Sequence, residues 1–581
     1  MAKRRESGRA RIVVTLARGL PVSILTLLGP CEVGAAAGPA CARETALRFE
    51  LSFPASARSE PADGRVFVIV AREGKPEPRL QFGKVGDQYR STPFFGEDVE
   101  RLKPGQRAAV GSWALGYPVA RLADLPAGDY FVQGLLNVYT TFPRADGRAV
   151  KLHMDRWEGQ VLQVSPGNLY SEVRKVHLDP GRDGVVSLTL DRKIPPVEIP
   201  PDTQYVKRVR FQSALLTKFW GQPIFIGATV LLPRDYERKK SVFYPVNYEQ
   251  GHFSTSPPGG FGEKEEIPAD ASERQKARAR AREEFTKAWL SDGFPRVLYV
   301  TFQHPTPYYD DSYAVDSPNN GPYGQAVMTE LIPYVETQFR AIRQPWARLL
   351  SGGSTGGWES LALQIFHPDD FGGTFSACPD PVDFHSFQIV NIYDWDNAWH
   401  RDSGFLRVPL PGERDADGFV LSTMEQQLRY ERALGPGGHS GEDWDCWQAV
   451  FGPVGKDGYF QPLFDPETGS IDKTVAAYWR EHSDLTAYLE KHWKDVGGKL
   501  AGKIHITVGE MDTYYLNNAV HRLEDFLTAT SNPPWGGTIL YGPRKPHCWQ
   551  GPLSLAERIK QMALYAVAHA PKGADRAWWR D

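Results

Sequence analysis

The sequence predicts an α/β fold, with a mostly parallel central sheet covered by helices on both faces and an N-terminal β-sandwich domain in front of it. Residues 43–193 contain short alternating runs without helical periodicity, which indicates strands. Residues 206–581 alternate strand-like and helix-like segments, which is typical of a mostly parallel sheet. At 581 residues the chain is also too long for one hydrophobic core. We therefore expect at least two domains.

The first 42 residues have the pattern of an export signal. A basic region at residues 3–11 precedes an apolar stretch at residues 12–28, and Ala40-Cys41-Ala42 offers a cleavage pattern of small residues. We expect residues 1–42 to be a signal peptide or a disordered N-terminus, and the mature chain to be periplasmic or extracellular. A cytoplasmic location follows if the signal is spurious. No apolar run approaches the ~18–20 residues that span a bilayer.

The β-sandwich is predicted from period-two alternation and short apolar runs between turns. Its predicted strands are residues 47–53, 65–71, 127–136 and 185–190. Ligand binding, an oligomer contact and plain support are all open as roles for this domain. A stiff linker is predicted at residues 194–205, because four prolines fall within residues 194–201.

The second domain, residues 206–581, is predicted to hold the site. Its candidate strands are residues 206–215, 224–232, 244–250, 297–303, 347–351, 373–377, 504–509 and 538–541. A capping box of Asp270 and Glu273 predicts the start of a helix that runs through Trp289 and stops near Gly293. Between about residues 385 and 497 the alternation lapses, which predicts a cap or lid, because function concentrates on such long excursions.

Composition and charge exclude some partners and leave others open. The net charge is −3 and 24% of residues are charged, which gives no electrostatic basis for binding nucleic acid or an anionic membrane. The five cysteines are residues 31, 41, 378, 446 and 548, and they do not form a disulfide framework. Cleavage after Ala42 would leave three, of which one pair could form in an oxidising compartment. The sequence chooses neither that pair nor an oligomeric state.

A glycine-flanked serine is the central motif. Gly352-Gly353-Ser354-Thr355-Gly356 matches G-x-S-x-G, with an apolar strand before it and a predicted helix after it. Such a serine sits on a cramped strand-to-helix turn, where side chains two positions to either side would collide with neighbouring backbone. The alternative is an ordinary glycine-rich turn. The strand and helix context favours Ser354 as a nucleophile.

A serine nucleophile needs a base, and the base needs an orienting carboxylate. In the fold that carries this motif the chain order is serine, acid, histidine. The acid is expected just past a late strand, where Asp512 follows residues 504–509. Glu510 is the alternative acid. The base is expected after the next strand, where His547 follows residues 538–541.

The reaction also needs donors aimed at a developing oxyanion. One is predicted to be the backbone N–H of Thr355, directly after the nucleophile. The other is predicted in the loop after residues 244–250, where Gly251 allows the backbone to turn inward and His252 or Phe253 offers an N–H. Whether the side chain of His252 reaches the site is open.

No cofactor and no metal site are predicted. The sequence has no His-Glu-x-x-His motif, and residues 465–472 lack EF-hand spacing. No Walker or dinucleotide glycine pattern lies in a suitable strand-helix context. Cys548 stands beside His547, but it is not predicted as a nucleophile because no base is placed for it.

These motifs resemble the putative-esterase (esterase D-like) branch of the α/β-hydrolases. That branch includes S-formylglutathione hydrolases, feruloyl esterases, enterochelin esterases and mycolyltransferases. The resemblance covers about residues 206–568 and is carried by residues 244–248 with Gly251, 317–323, 330–335, 352–357, 509–512 and His547.

The resemblance implies an α/β-hydrolase fold with Ser354 as nucleophile, Asp512 as acid and His547 as base. It also implies oxyanion donors near Gly251 and at Thr355. The sequence departs from the family pattern in two places: Glu249-Gln250-Gly251 replaces the usual His-Gly pair, and the insertion from His385 is longer than in simple members. The N-terminal β-domain lies outside the resemblance.

The predicted function is cleavage of a carboxylic ester, in a small molecule or linked to a carbohydrate, through an acyl-enzyme. Two alternatives stay open: acyl transfer or thioester cleavage on the same fold, and a non-catalytic binding scaffold. Aromatic residues of the insertion either line an acyl or sugar subsite or pack in the core. They are Tyr393, Trp395, Trp399, Trp444 and Trp447.

Overall fold

The computed structural model describes residues 47–82, 91–182, 184–262 and 271–579. These residues belong to one compact unit that spans residues 46–581. The predicted signal peptide, residues 1–42, lies outside the described residues. Within the described ranges, no helix combines the length and the apolar character that a membrane crossing requires.

The N-terminal region is rich in β-structure and forms two sheets. Its strands are β1 (Leu47–Ser52), β2 (Ala62–Ala71), β3 (Phe94–Leu102), β4 (Ala108–Val110), β5 (Leu115–Tyr117), β6 (Gly128–Pro143), β7 (Ala149–His153), β8 (Leu169–Tyr170), β9 (Arg174–Leu178), β10 (Gly184–Thr189) and β11 (Arg192–Lys193). One sheet has the order β10-β1-β4. The other has the order β11-β8-β6-β2-β3-β5, with β7 and β9 also paired to β6.

The two sheets share a buried core. Phe49 and Leu51 of β1 are fully buried and pack in one cluster with Val66 and Val68 of β2 and with Leu188 of β10. The spacing of two in each strand follows from the alternation of side chains along β-structure. The predicted strands at residues 47–53, 65–71, 127–136 and 185–190 correspond to β1, β2, β6 and β10.

Residues 194–203 have no regular secondary structure and lead into the second part of the chain. The strands that follow are β12 (Val206–Gln212), β13 (Phe225–Leu231), β14 (Val246–Gln250), β15 (Leu298–Gln303), β16 (Asp316–Ser317), β17 (Gly321–Pro322), β18 (Arg348–Gly353), β19 (Gly373–Ala377), β20 (His400–Ser403), β21 (Leu406–Pro409), β22 (Pro411–Arg414), β23 (Val420–Thr423), β24 (Ile504–Gly509) and β25 (Thr538–Gly542).

Eight of these strands form the central sheet, in the order β12-β13-β15-β14-β18-β19-β24-β25. The pairs β12-β13 and β13-β15 are antiparallel, and the pairs from β15 through β25 are all parallel. The predicted mostly parallel sheet is therefore confirmed, and with it the α/β-hydrolase fold. The strand predicted over residues 206–215 is too long, because the Ser213 hydroxyl accepts the backbone N–H of Leu216 and starts a helix there.

Residues 206–579 also contain the α-helices of the described chain. They are α1 (Ala214–Trp220), α2 (Glu273–Trp289), α3 (Tyr323–Ala326), α4 (Ile332–Gln338), α5 (Thr355–Phe366), α6 (Met424–Leu434), α7 (Asp443–Phe451), α8 (Lys473–His482), α9 (Leu485–Leu500), α10 (Asn517–Ala529) and α11 (Leu555–His569), with a π-helical turn at Val327–Leu331 between α3 and α4. One buried cluster holds residues of α2, α4 and α11, and a second holds residues of α5, α9 and α10.

The capping box predicted for α2 is wrong in register. The N-cap is Ser272: its hydroxyl accepts the backbone N–H of Gln275, and the Gln275 side chain accepts the backbone N–H of Ser272. Asp270 lies outside the described residues. Glu273 is then the first helical residue rather than the third. The two-residue shift keeps the same chemistry with a different pair of residues.

The insertion between β19 and β24 contains two hairpins, β20-β21 and β22-β23, and the four helices α6 to α9. Of its predicted subsite aromatics, Trp399, Trp444 and Trp447 are buried and pack in a core cluster. The insertion also contacts the N-terminal region, where Tyr430 of α6 packs edge-to-face on Phe94 of β3 at 6.0 Å between ring centroids. The insertion is thus anchored on both sides.

Candidate active site

Ser354 lies at a strained turn between β18 and α5. Its φ of 59° and ψ of −125° are unusual for a residue with a side chain. A methyl group on Gly356 would lie 2.0 Å from the carbonyl oxygen of Gln250, and one on Gly352 would lie 2.1 Å from the carbonyl oxygen of Gly356. Only glycine fits at these two positions, which is the steric reason for the G-x-S-x-G spacing.

The structure brings Ser354, His547 and Asp512 together. The Nε2 atom of His547 is 2.9 Å from the Ser354 hydroxyl oxygen. The Nδ1 atom of His547 is 2.8 Å from Oδ2 of Asp512. Asp512 follows β24 and His547 follows β25, so each side chain comes from the carboxyl end of a neighbouring parallel strand. The three groups form a continuous hydrogen-bonded line.

Asp512, rather than Glu510, is the carboxylate that faces His547. It is fully buried, and its Oδ1 atom accepts the backbone N–H groups of Tyr514 at 2.9 Å and Leu516 at 3.3 Å. The Glu510 carboxylate instead lies 3.3 Å from Nε2 of His521. The backbone donors fix Oδ1, which leaves Oδ2 for the imidazole.

The insertion holds the loop that carries Asp512. Arg414, at the end of β22, donates to the backbone carbonyl oxygens of Asp512 at 3.0 Å and Glu510 at 3.2 Å, and to the side chain of Asn517 at 2.9 Å. A guanidinium fork of this kind fixes several acceptors at once. One contribution of the insertion is therefore to order the acid loop.

Burial and an adjacent carboxylate shift the pKa of His547 in opposite directions. Burial lowers the pKa of His547, but the carboxylate of Asp512 and the neighbouring Cys548 together raise it well above its usual value. The ring of Tyr514 stands edge-on to the imidazole at 4.9 Å between centroids. The imidazole is thus held in place on two sides and its protonated form is stabilised.

Two of the residues predicted for the oxyanion hole, Thr355 and Gly251, border the turn that carries Ser354. Thr355 is the first residue of α5, where a backbone N–H has no acceptor within the helix. The backbone N of Gly251 lies 2.7 Å from a methyl group placed on Gly356, and the space beside Gly251 itself is open. The peptide after β14 therefore borders the same turn from the other side.

The side chain of His252 points to a pair of carboxylates rather than to Ser354. Its Nδ1 atom is 3.1 Å from Oδ1 of Asp310 and 3.5 Å from Oδ2 of Asp311. Burial opposes the charged imidazole, but these two carboxylates raise the pKa of His252 well above its usual value. The ion pair fixes the loop whose backbone borders the turn of Ser354.

Asp380 is a site residue that the sequence analysis missed. Its Oδ1 atom is 3.4 Å from the Ser354 hydroxyl oxygen, and its Oδ2 atom accepts hydrogen bonds from Tyr313 at 2.5 Å and Thr355 at 3.0 Å. Burial raises the pKa of Asp380 to about 6, although the hydrogen bond from Tyr313 opposes that effect. The signal in the sequence was an acid just after β19, the strand that neighbours β18.

Helix α7 of the insertion supports this second carboxylate. The indole N–H of Trp447 donates to the Tyr313 hydroxyl, which in turn donates to Asp380. Trp447 is one of the predicted subsite aromatics. It is buried and supports the groups around Ser354 through its hydrogen bond to Tyr313.

Two cysteines also border His547. The thiols of Cys378 and Cys548 and a ring nitrogen of His547 lie within 4.8 Å of one another. An imidazole therefore does lie near Cys548, although its two ring nitrogens hydrogen-bond to Asp512 and Ser354. Two further groups of side chains in the described ranges also have potential metal-ligand atoms within 4.8 Å of one another. They are His252 with Asp310 and Asp311, and His385 with Asp383 and Asp484.

The family model described as "Putative esterase" matches residues 226–533, which is more than half of the chain. The match runs from β13 past β24, and therefore includes Ser354 and Asp512 but ends before His547.

Solved structures of esterases and serine hydrolases align with the chain. A ferulic acid esterase is 15% identical, with a TM-score of 0.32, over 63% of this chain and 98% of its own. A fluorophosphonate-binding serine hydrolase, FphF of Staphylococcus aureus, is 12% identical with a TM-score of 0.31, over 62% and 98%. An S-formylglutathione hydrolase of Agrobacterium tumefaciens is 14% identical with a TM-score of 0.33, over 63% and 99%. No curated protein matches the sequence.

Proposed function

The chain belongs to the Putative esterase family, and from that membership we propose that it hydrolyses a carboxylic ester with Ser354 as nucleophile, His547 as general base and Asp512 as orienting acid. The observation that carries the proposal is the line of hydrogen bonds from Ser354 through His547 to Asp512, at 2.9 Å and 2.8 Å. Both distances are within the range expected between a nucleophile, its base and an orienting group.

In the first half-reaction His547 takes the proton of the Ser354 hydroxyl at Nε2, and the serine oxygen attacks the ester carbonyl carbon. Asp512 accepts the Nδ1–H of His547, which keeps Nε2 free to receive a proton. The same carboxylate stabilises the imidazolium once it forms. His547 then gives the proton to the departing alcohol, and an acyl-enzyme remains on Ser354.

The carbonyl oxygen carries negative charge during this step and needs fixed donors. We assign one donor to the backbone N–H of Thr355 and the other to a backbone N–H of the loop at Gly251 and His252. The open space beside Gly251 supports this assignment, because a substrate oxygen can approach there. The His252 pairing with Asp310 and Asp311 holds the loop in position.

In the second half-reaction water takes the place of the alcohol. His547 removes a proton from the water, the resulting hydroxide attacks the acyl carbon, and the protonated base returns its proton to Ser354 as the acid leaves. Microscopic reversibility requires the same donors at the carbonyl oxygen in both halves.

The substrate class proposed is a small-molecule or carbohydrate-linked ester. Acceptor groups near the nucleophile support an alcohol part that bears hydroxyl groups. Tyr309 donates to Asp443 at 2.6 Å, and Asp443 is close enough to raise the pKa of Asp380. Asp310 lies near Tyr309 and Asp443 and remains partly exposed. Carboxylates placed in this way accept hydrogen bonds from substrate hydroxyl groups.

The test is hydrolysis of a short p-nitrophenyl ester by the wild type and by Ser354→Ala. The variant is expected to lose several orders of magnitude in kcat, about what a missing nucleophile costs serine hydrolases. Ser351→Ala is the matched control, because that hydroxyl is on the same strand and bonds to Asn247 at 3.0 Å instead. Wild-type turnover by Ser354→Ala would reject the proposal. Product analysis with added alcohols and thiols distinguishes hydrolysis from acyl transfer.

We also propose that the mature chain is exported, on the pattern of its first 42 residues. Expression in a bacterial host followed by fractionation tests this. The expected result is a periplasmic or secreted protein whose N-terminus follows Ala42. A cytoplasmic product that still begins at Met1 would contradict it.

A further inference from the structure

Two cysteines from distant parts of the chain meet beside His547. Cys378 directly follows β19 and is buried, whereas Cys548 directly follows His547 and is exposed. Their sulfur atoms and a ring nitrogen of His547 lie within 4.8 Å of one another. The third described cysteine, Cys446, is buried in α7 and takes no part in this group.

We propose that Cys378 and Cys548 are an oxidisable pair, which forms a reversible disulfide that joins the loop of His547 to the end of β19. The two sulfurs lie within 4.8 Å of each other, so a short approach of the two side chains is the movement that an S–S bond of about 2.0 Å requires. Cys378 and Cys548 are also the cysteines that we expect to form a disulfide if the mature chain reaches an oxidising compartment.

The two thiols differ in a way that suits stepwise oxidation by a peroxide. The hydrogen bond from Cys378 and the imidazole of His547 lower the pKa of Cys548 to about 4, while burial raises the pKa of Cys378. An exposed thiolate is the form that reacts with hydrogen peroxide. Cys378 is then held next to it as the resolving thiol.

Atoms and electrons balance over two steps. The Cys548 thiolate attacks one peroxide oxygen, a sulfur–oxygen bond forms, the oxygen–oxygen bond breaks, and hydroxide leaves. The sulfur of Cys548 is oxidised and the peroxide oxygen is reduced. The Cys378 sulfur then attacks the Cys548 sulfur, the sulfur–oxygen bond breaks, and the departing hydroxyl takes the Cys378 proton and leaves as water.

Oxidation also changes the charge next to His547, a consequence that rests on the proposed function. The titratable groups near this imidazole are Asp512 after β24, Cys378 and Asp380 after β19, Cys548 in its own loop and Tyr514 before α10. Disulfide formation converts the anionic thiolate of Cys548 to a neutral group. The thiolate raises the pKa of His547, so the oxidised enzyme is expected to have a more readily deprotonated base.

The first experiment measures the cross-link and needs no substrate. The full chain is treated with hydrogen peroxide or with dithiothreitol, alkylated and digested, and its peptides are weighed. The expected result is a peptide pair joined through Cys378 and Cys548, lighter by two hydrogen atoms and reversed by dithiothreitol. The same pair is expected in Cys446→Ser and is absent in Cys378→Ser and Cys548→Ser. The oxidised chain is also expected to unfold at a higher temperature, because the cross-link constrains the unfolded chain.

Sulfinic or sulfonic acid at Cys548 without a cross-link to Cys378, or a cross-link through Cys446, would overturn the proposal. The second experiment compares the pH profile of kcat/KM in the two states. Oxidation is expected to shift the acid limb to lower pH in the wild type and in Cys446→Ser. Cys548→Ser has no thiolate at this position in either state and is expected to show no such shift. An inactive protein that forms the cross-link would count against the proposed function and not against the pair. A cross-linked, active enzyme with an unshifted profile would overturn the effect on His547.

Discussion

Replacing Asp512 by Asn tests the orienting role of this carboxylate with little change in shape. Oδ1 of Asp512 is held by the backbone N–H groups of Tyr514 and Leu516, so the amide oxygen of Asn takes that position and its NH2 group faces the imidazole. The amide then donates to Nδ1 of His547, which today is 2.8 Å from Oδ2. The imidazole proton must move to Nε2, where it points at Ser354. The base can no longer accept the serine proton.

A wrong tautomer of this kind costs a serine hydrolase about 10⁴-fold in kcat, or about 5.5 kcal/mol in the activation barrier. We therefore expect Asp512→Asn to lose about that factor on a short p-nitrophenyl ester, while circular dichroism and the melting temperature stay near those of the wild type. Glu510→Gln is the matched control, since Glu510 lies in the same loop but faces His521. Near-normal kcat in Asp512→Asn together with a large loss in Glu510→Gln would refute the assignment.

Three further predictions follow from the surroundings of the nucleophile. Asp380 interacts electrostatically with His547, so removing its negative charge in Asp380→Asn is expected to lower the pKa of His547 and to move the rise of kcat/KM with pH to lower pH. An unmoved acid limb in the pH profile would contradict this. Gly356→Ala places a methyl group 2.0 Å from a carbonyl oxygen and is expected to lower the free energy of unfolding in urea by about 1–3 kcal/mol or more. Gly498→Ala is the control: it lies at an exposed position of α9 with no atom nearby and is expected to raise that free energy by up to about 1 kcal/mol. Trp157→Ala removes the edge-to-face aromatic contact of 5.1 Å to the loop after β14 and is expected to lower both the melting temperature and kcat; unchanged kinetics would mean that the N-terminal sheets do not support this loop.

The strands of the central sheet were predictable from the sequence because each is a short apolar run between turn residues. Residues 373–377 and 504–509 match β19 and β24 to the residue. The turn at Ser354 was predictable for a different reason. Its glycine spacing is a signature of such a turn. A side chain on Gly352 would collide with Gly356 inside the motif, whereas a side chain on Gly356 would collide with Gln250 at the end of β14.

The surroundings of the site depend on contacts between distant segments, which the sequence does not specify. Asp380 follows a strand whose position next to β18 is known only from the sheet order. Trp447 is 134 residues from Tyr313, yet the two side chains hydrogen-bond. Cys378 was one of several possible partners for Cys548 until the fold brought the two loops together.

The choice between Glu510 and Asp512 shows what the sequence predicts and what only the folded chain determines. Chain order restricts the acid to the loop after β24, but Glu510 and Asp512 both satisfy that order. The backbone conformation of the loop decides between them, because it directs two N–H groups and the imidazole to Asp512. The sequence predicts which residues follow a strand and in what order. The direction in which each of their side chains points depends on the conformation of the folded loop.

The most direct measurement of the central claim is the site at which a fluorophosphonate reacts with the protein. The probe reacts with a serine only where a neighbouring base activates the hydroxyl group. We expect one adduct in the intact mass of the wild type, located at Ser354 by peptide mapping, absent in Ser354→Ala and formed far more slowly in His547→Gln. Labelling of Cys548 or another residue, or equal labelling rates in the wild type and His547→Gln, would contradict the account.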